Sequence, residues 1–525
     1  MSKQADKSKA KTKKHINVKT KNKIIIGVVV TAMVLLVLGY FAYFTGFPAK
    51  VLTGARIIHT VDGKEKTVER VSIVEMNYYY SQTYSQYVNY GLISSEADLK
   101  EVYNPTTGQT YGQMLWENAA NSAQTQYMLY DAAMKSGFKP VAADRYAEEQ
   151  VDNLRTNVDY MNQLRDSNMT ADQYLQNLYG KGMTVQIFRK IMQRNAVVEE
   201  FKTYLQQTTF VPDQATLQAK FDEDPSLYTL CRFQVYYVAA ETLPEGATEE
   251  EKTKAAEDAL KKAHEICDGC VNAVEFQTRV MQNCDDSYRD RMMNGEDPTS
   301  KSGYTKDQLK SFSEEFAEFC YNPDTAPNSS MAFIDKENSG AYAMLFEETY
   351  IDDEPTAAYR VIVLTDDVLS DISKTLEQKA PSHQKLHAKA DEYVASVTTE
   401  DQFIELAKKY STETESLLTG GYVSGVKQSD FKGVVTEEGA DPVLADEDQK
   451  LIDWLYDPAR KPGDMYIIDC VASVSIYYYC DVVPAWMDTL RNNLVSENFT
   501  AWYSGTISDE TYSTVVNHGL IDFFS

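Results

Sequence analysis

The chain has 525 residues, 43% of them hydrophobic and 25% charged, and a formal net charge of -27. At a soft prior of roughly 150 residues per domain this is material for about three folded units, and the composition excludes global disorder. A polyanionic body repels phosphate backbones, which argues against DNA or RNA as the main ligand, although residues 1–23 stand apart as a lysine-rich stretch with Asp6 as its one acid.

Ile24 to Phe44 form an uninterrupted apolar run without a charged residue. At about 1.5 Å per residue such a run matches the roughly 30 Å hydrocarbon core of a bilayer. Tyr40, Phe41, Tyr43 and Phe44 supply an aromatic belt at its far end. The pattern predicts a transmembrane signal anchor over 24–44, with 1–23 as a cytoplasmic tail and the bulk of the chain extracytoplasmic, as in a single-pass cell-membrane protein. A cleaved signal peptide is the competing reading. No cysteine follows the run closely, so a lipoprotein anchor is not indicated.

Alternation from Ile57 predicts a short hairpin, followed by a helix starting near Glu75. Leu115, Ala119, Ala123 and Tyr127 recur at helical spacing, with Gly137 and Pro140 as the stop; Val151, Leu154, Val158 and Met161 repeat the pattern. Thr170 and Gln173 have capping-box spacing ahead of a short helix ending at Gly180, and Ile187, Ile191, Val198 and Leu205 mark the next one. Residues 55–222 therefore read as a helical domain.

A strand, Cys231 to Ala240, then opens a unit that continues through two helices and closes with the strand-like Gly340–Tyr350. The same order recurs from Asp353: strand, helix, helix, glycine-rich loop, then strands ending near Val483. We read a divergent internal repeat, 227–350 and 353–483, of a length suited to two domains and not to a solenoid. Residues 484–525 carry one more amphipathic helix, marked by Trp486, Leu490, Leu494 and Phe499, whose return to the helical domain is expected.

Tyr410 and Ser411, followed by Gly420 and Gly421, have the spacing of the central loop of parvulin prolyl isomerases. Together with Arg360 in an entry strand and the helical domain upstream, the ectodomain resembles the SurA/PrsA family of exported foldases. The resemblance implies an α+β architecture: a single N-terminal transmembrane helix, a helical chaperone domain like the SurA N-terminal domain, two tandem parvulin-like domains and a C-terminal helix. The family's catalytic histidines are absent. Val361 falls on one of them, tyrosines of the exit strand Ile476–Val483 replace the other, and Glu413 stands at an acidic position. By the resemblance, Glu413 and Ser411 are the candidate catalytic residues, and Gly420, Gly421, Tyr422, Trp454 and Tyr478 the candidate substrate-binding ones; no cofactor or metal is implied.

Prolyl isomerisation breaks no covalent bond; it crosses a barrier of about 18–20 kcal/mol through a twisted amide, so it needs preferential binding of that state. A parvulin frame without its polar set reads more naturally as a peptide-binding shell. His264, Cys267 and Cys270, with Cys284 downstream, are compatible with a zinc site, a redox pair or ordinary buried or disulfide-linked cysteines. Seven cysteines cannot all pair within one chain. His383 and His387 share a helix face without a fixed third ligand, and no phosphate-binding loop or nucleophile elbow is present. The 36 tyrosines, densest from Met76 to Gly91, suit loose amphipathic contact with unfolded chains or ordinary packing.

The expected function is a membrane-anchored extracytoplasmic folding factor that binds newly exported, unfolded polypeptides. The alternatives are an active peptidyl-prolyl isomerase through the second repeat and a non-catalytic adaptor for one dedicated partner.

Overall fold

The computed structural model describes residues 46–244, 246–337, 339–414, 416–430 and 442–524, together with Thr31 and Met33. The described chain is α+β, with antiparallel sheets throughout. It divides into two compact units: the first holds residues up to Thr209, Ile404–Gly421 and Phe499–Ser525, the second Phe210–Phe403 and Tyr422–Asn498.

The first unit opens with strands β1 (Thr53–Val61) and β2 (Lys64–Ser72), joined by Asp62 and Gly63 at φ 52° and 70°. Two central residues with positive φ make the tight hairpin turn whose twist matches its strands, and Asp-Gly is a favoured pair for it. Ser72 then accepts a hydrogen bond from the Glu75 N–H at 3.2 Å and so caps the helix Ile73–Asn89. A minor hairpin, β3 (Val102–Asn104) with β4 (Gln109–Thr110), leads into the helix Tyr111–Lys135. Thr110 and Gln113 form its capping box, and it buries Leu115, Ala119 and Ala123 completely. Helices Ala143–Arg165, Ala171–Tyr179 and Val185–Tyr204 complete the bundle. The C-terminal strand, Tyr512–Val516, returns to pair with β1, which becomes the centre of a three-stranded sheet. Ile521 joins Ile57, Ile73, Met76 and Ala119 in one core.

The second unit contains two four-stranded sheets. Strands β5 (Thr229–Ala239), β6 (Ser300–Tyr304), β7 (Ser330–Ile334) and β8 (Gly340–Ile351) lie in the order β6-β5-β8-β7. Strands β9 (Pro355–Leu364), β10 (Tyr422–Lys427), β11 (Met465–Cys470) and β12 (Ser473–Pro484) lie in the order β10-β9-β12-β11. In each repeat the first strand is followed by helices, the second strand takes one edge, and the last two form a hairpin beside the first. The helix Gln214–Glu223, expected with the helical domain, belongs to this unit because its apolar face is covered there: Phe221 stacks on Trp486 at 4.0 Å, and Leu217 shares a core with Val483 and Leu490.

Among the described residues no helix is long and apolar enough to cross a membrane. The expectation of a transmembrane helix, and with it of a single-pass cell-membrane protein with an extracytoplasmic bulk, is corrected to this extent: none of the described helices is such a span. The long helix Ala143–Arg165 is amphipathic, burying Ala147, Val151, Leu154 and Val158 while carrying charged residues on its other face. The run Ile24–Phe44 on which the expectation rested lies outside the described residues apart from Thr31 and Met33, and so does the basic stretch 1–23.

Candidate functional site

The middle strand of the second repeat organises the site. In the ladder of β9, Arg360 pairs with Tyr422 on one side and Tyr478 on the other. Residues directly opposite in a ladder share a face, so Tyr422, Arg360 and Tyr478 form one row across three strands. Arg360 is 2% exposed, and its guanidinium lies over the Tyr422 ring at 5.0 Å. Its Nε donates to Glu400 Oε1 at 2.7 Å, on the helix Glu400–Tyr410. Burying a charged arginine requires such a partner, and the ring face adds cation–π attraction. Tyr478 packs on Phe403 at 5.1 Å, and the Cys480 thiol points to Glu400 at 3.9 Å.

Burial, and then the Glu400 charge, push the Cys480 thiol up to about 12. Burial raises both Tyr422 and Tyr478. Arg491 pairs with Asp481 at 2.6 Å and lies 3.6 Å from Asp488, whose carboxyl is raised by burial. The row is a packed layer of two tyrosine rings about a buried cation, with Tyr478 7% exposed and Tyr422 half-buried.

The expected site residues are distributed over both units. Ser411, Glu413, Gly420 and Gly421 belong to the first unit, whereas Tyr422, Trp454 and Tyr478 belong to the second. Ser411 is fully buried, with its Oγ 3.2 Å from Ser416 Oγ; Ser416 Oγ donates to the Glu413 carbonyl at 3.0 Å. Arg145 donates to the carbonyls of Lys408 and Ser411, and Lys408 Nζ pairs with the fully buried Glu200 at 3.0 Å. The loop is thus fastened to the helical bundle. Glu413 is exposed at its tip. Gly420 and Gly421, at φ 63° and 72°, are needed for two successive left-handed residues, and the Gly421 N–H closes the turn onto the Ser416 carbonyl at 3.1 Å.

Trp454 and Tyr478 occupy opposite faces of the same sheet. Trp454 stacks on Tyr466 at 5.6 Å and shares a core with Leu451, Leu455 and Tyr479, where the helix Pro442–Leu455 covers the sheet. Tyr479 and Tyr478 are consecutive on β12, so their side chains point apart.

The other candidates are structural. Cys267, Cys270 and Cys284 are buried in the core of the first repeat, and burial pushes the Cys267 thiol up to about 12. His264 faces Asp268 at 3.0 Å. His387 Nδ1 meets Asp469 at 2.8 Å beside a cavity of about 390 Å³ that His383 also lines. Among the described residues no group of three or more His, Cys, Asp or Glu side chains is placed to hold a metal ion.

Sequence reasoning missed Glu400 as the partner of Arg360, Phe403 and Cys480 beside them, and Gln234 in the first repeat. Gln234 is 2% exposed on the middle strand β5 and bonds Glu347 and Thr299. Its ladder partners are Ser300 and Leu345. A polar residue flanked by apolar ones inside each entry strand, Gln234 in one and Arg360 in the other, is the signal that could have found them. No protein-family model matches the chain, and no curated protein matches it.

Proposed function

We propose that the protein is a polypeptide-binding folding factor of the kind the SurA/PrsA resemblance implies, one that holds unfolded chains and does not turn over prolyl bonds. The observation that carries this reading is the apolar and aromatic surface left open in the first unit, where Val88, Tyr90, Leu92, Val102 and Tyr103 are between 40% and 71% exposed. Exposed aromatic and aliphatic side chains of this kind give broad contact area to varied sequences. Ser411, the hydroxyl an isomerase reading would use, is fully buried and bonded within its own loop. The net charge of -27 keeps complexes with sticky clients apart in solution.

Two assays on the full chain test the reading together. The protein should suppress aggregation of a chemically unfolded client in proportion to its concentration. It should leave the cis/trans exchange rate of a short X-Pro peptide, followed by NMR, unchanged. Saturable acceleration that disappears in Glu413→Ala would establish the isomerase instead, and a client that aggregates at the same rate with or without the protein would remove the folding-factor reading.

A further inference from the structure

On the sheet of the first unit, Arg56 in the central strand lies directly opposite Arg70 on β2 and opposite Val515 on the C-terminal strand. Directly opposed residues have Cβ atoms about 4.5–5.5 Å apart, and like charges at that spacing repel. Among the described residues most other arginines, Arg165 apart, have an acidic partner. Arg145, Arg155, Arg189, Arg194, Arg232, Arg279, Arg289, Arg291, Arg360, Arg460 and Arg491 all make ion pairs. Arg56 and Arg70 are exposed, and among the described residues neither makes an ion pair or a side-chain hydrogen bond. Two of the acids near Arg70 in sequence are turned to other groups: Glu69 to the Tyr127 hydroxyl and Glu75 to Arg194.

The two arginines line a cavity of about 680 Å³. Leu52 and Leu520 contribute to an apolar part of its wall, and His518 adds an imidazole whose Nδ1 is buried without a partner among the described residues. His518 Nε2 lies 3.7 Å from Glu117. An unpaired double cation beside an apolar wall, in a chain of net charge -27, is a local attractor for an anion with an apolar body.

The geometry points to a binding site for the free C-terminal carboxylate of a polypeptide that ends in an apolar residue. The two guanidinium forks take the carboxylate oxygens by charge-assisted hydrogen bonds, and Leu52 and Leu520 receive the terminal side chain. A bare inorganic anion would leave that wall and most of the cavity unused. The site goes beyond the folding-factor reading and is carried by residues which that reading does not use, so the two stand or fall separately.

The test is fluorescence anisotropy on the full chain with a labelled short peptide ending in leucine, as free acid and as amide. The amide should bind about tenfold more weakly or worse, the loss of one charge-assisted contact. Arg56→Ala and Arg70→Ala should each lower affinity for the acid by a similar factor, and Arg56→Lys should lose less because it keeps the charge without the fork. Binding should weaken as salt is raised. Absent binding, equal affinity for acid and amide, or unchanged affinity in both alanine variants with wild-type melting would overturn the proposal. So would displacement by inorganic phosphate together with no preference for leucine over glycine at the peptide terminus, which would mark a bare-anion site.

Discussion

Glu200 lies inside the helix Val185–Tyr204 with no exposed surface, and its carboxylate accepts the backbone N–H groups of Val141, at 2.9 and 3.1 Å, and Ala142, at 3.1 Å. Those donors stand at the entrance of the helix Ala143–Arg165, where unpaired N–H groups favour an anion. Lys408, 7% exposed, supplies the counter-charge at 3.0 Å. Removing one partner of a buried pair leaves an uncompensated charge and typically costs about 3–5 kcal/mol. Glu200→Ala strands both the lysine and the two N–H groups, so it should lower the unfolding free energy of the first unit by that order, read as a lower urea midpoint. Lys408→Met should cost less, because the carboxylate keeps its backbone donors. Urea titration followed by Trp116 and Trp502 fluorescence, with the exposed Glu148→Ala as control, decides the matter. A Glu200→Ala midpoint no lower than the control's would mean that the pair is idle. None of this was legible in the sequence: Glu200 reads as one acid in the run Glu199–Glu200, and its burial depends on residues distant in the chain.

Helices and strands are joined by a few such polar ties, and the one between the helix Leu376–Ser396 and β11 titrates. The hydrogen bond to Asp469, followed by the charges of Asp469 and Asp391, raises the His387 imidazole above its usual value. A raised folded-state value means that protonated His387 stabilises the fold. The contribution is fully present below about pH 6.5, the ordinary histidine value, and is lost as pH rises through the raised one. With the His387 side chain 39% exposed, solvent screening limits the tie to a few tenths of a kcal/mol. Wild type should therefore melt slightly above His387→Gln at pH 5.5 and level with it at pH 9; a gap of the same size at both pH values would refute the tie. The elements themselves were largely readable, because local chemistry writes them. Asp62-Gly63 marks the first hairpin, Thr170 with Gln173 caps its helix, and the matching order of elements announces the two repeats, whose sheets share one strand order. Strand β10 was read as part of a glycine-rich loop. Its ladder with β9 shifts register between Val423 and Val426, around Gly425 at φ 74°, and a bulge of this kind hides the alternation that betrays a strand. The partition of Ser411 from Tyr478 was equally invisible, since matching a loop to a family motif says nothing about which neighbour that loop packs against.

At the scale of the whole chain, the first unit is assembled from three separated segments, and its central strand is completed by residues near the C-terminus. Ala55 pairs with Val516 and His59 with Tyr512, whose rings stack at 4.2 Å; the Tyr512 hydroxyl donates to Asp131 at 2.8 Å, and the Asn517 N–H reaches the Gly54 carbonyl at 2.8 Å. Closing so long a loop costs little more entropy than closing a moderate one, because the cost grows only with the logarithm of length. A chain ended after Ser508 loses this strand and the fully buried Ile521. It then exposes one edge of β1 and leaves a cavity in the bundle core, a defect that costs about 2–5 kcal/mol when a single large aliphatic side chain is removed from a core. Hydrogen exchange measured peptide by peptide should accordingly speed up in the helix Tyr111–Lys135 and in β1. In β9 and β12, which belong to the second unit, exchange should stay as slow as in the full chain. Faster exchange of the same size in β9 and β12 would mean that the two units unfold as one cooperative block. Unaltered exchange in Tyr111–Lys135 would mean that the returning strand contributes nothing to the stability of the bundle it completes.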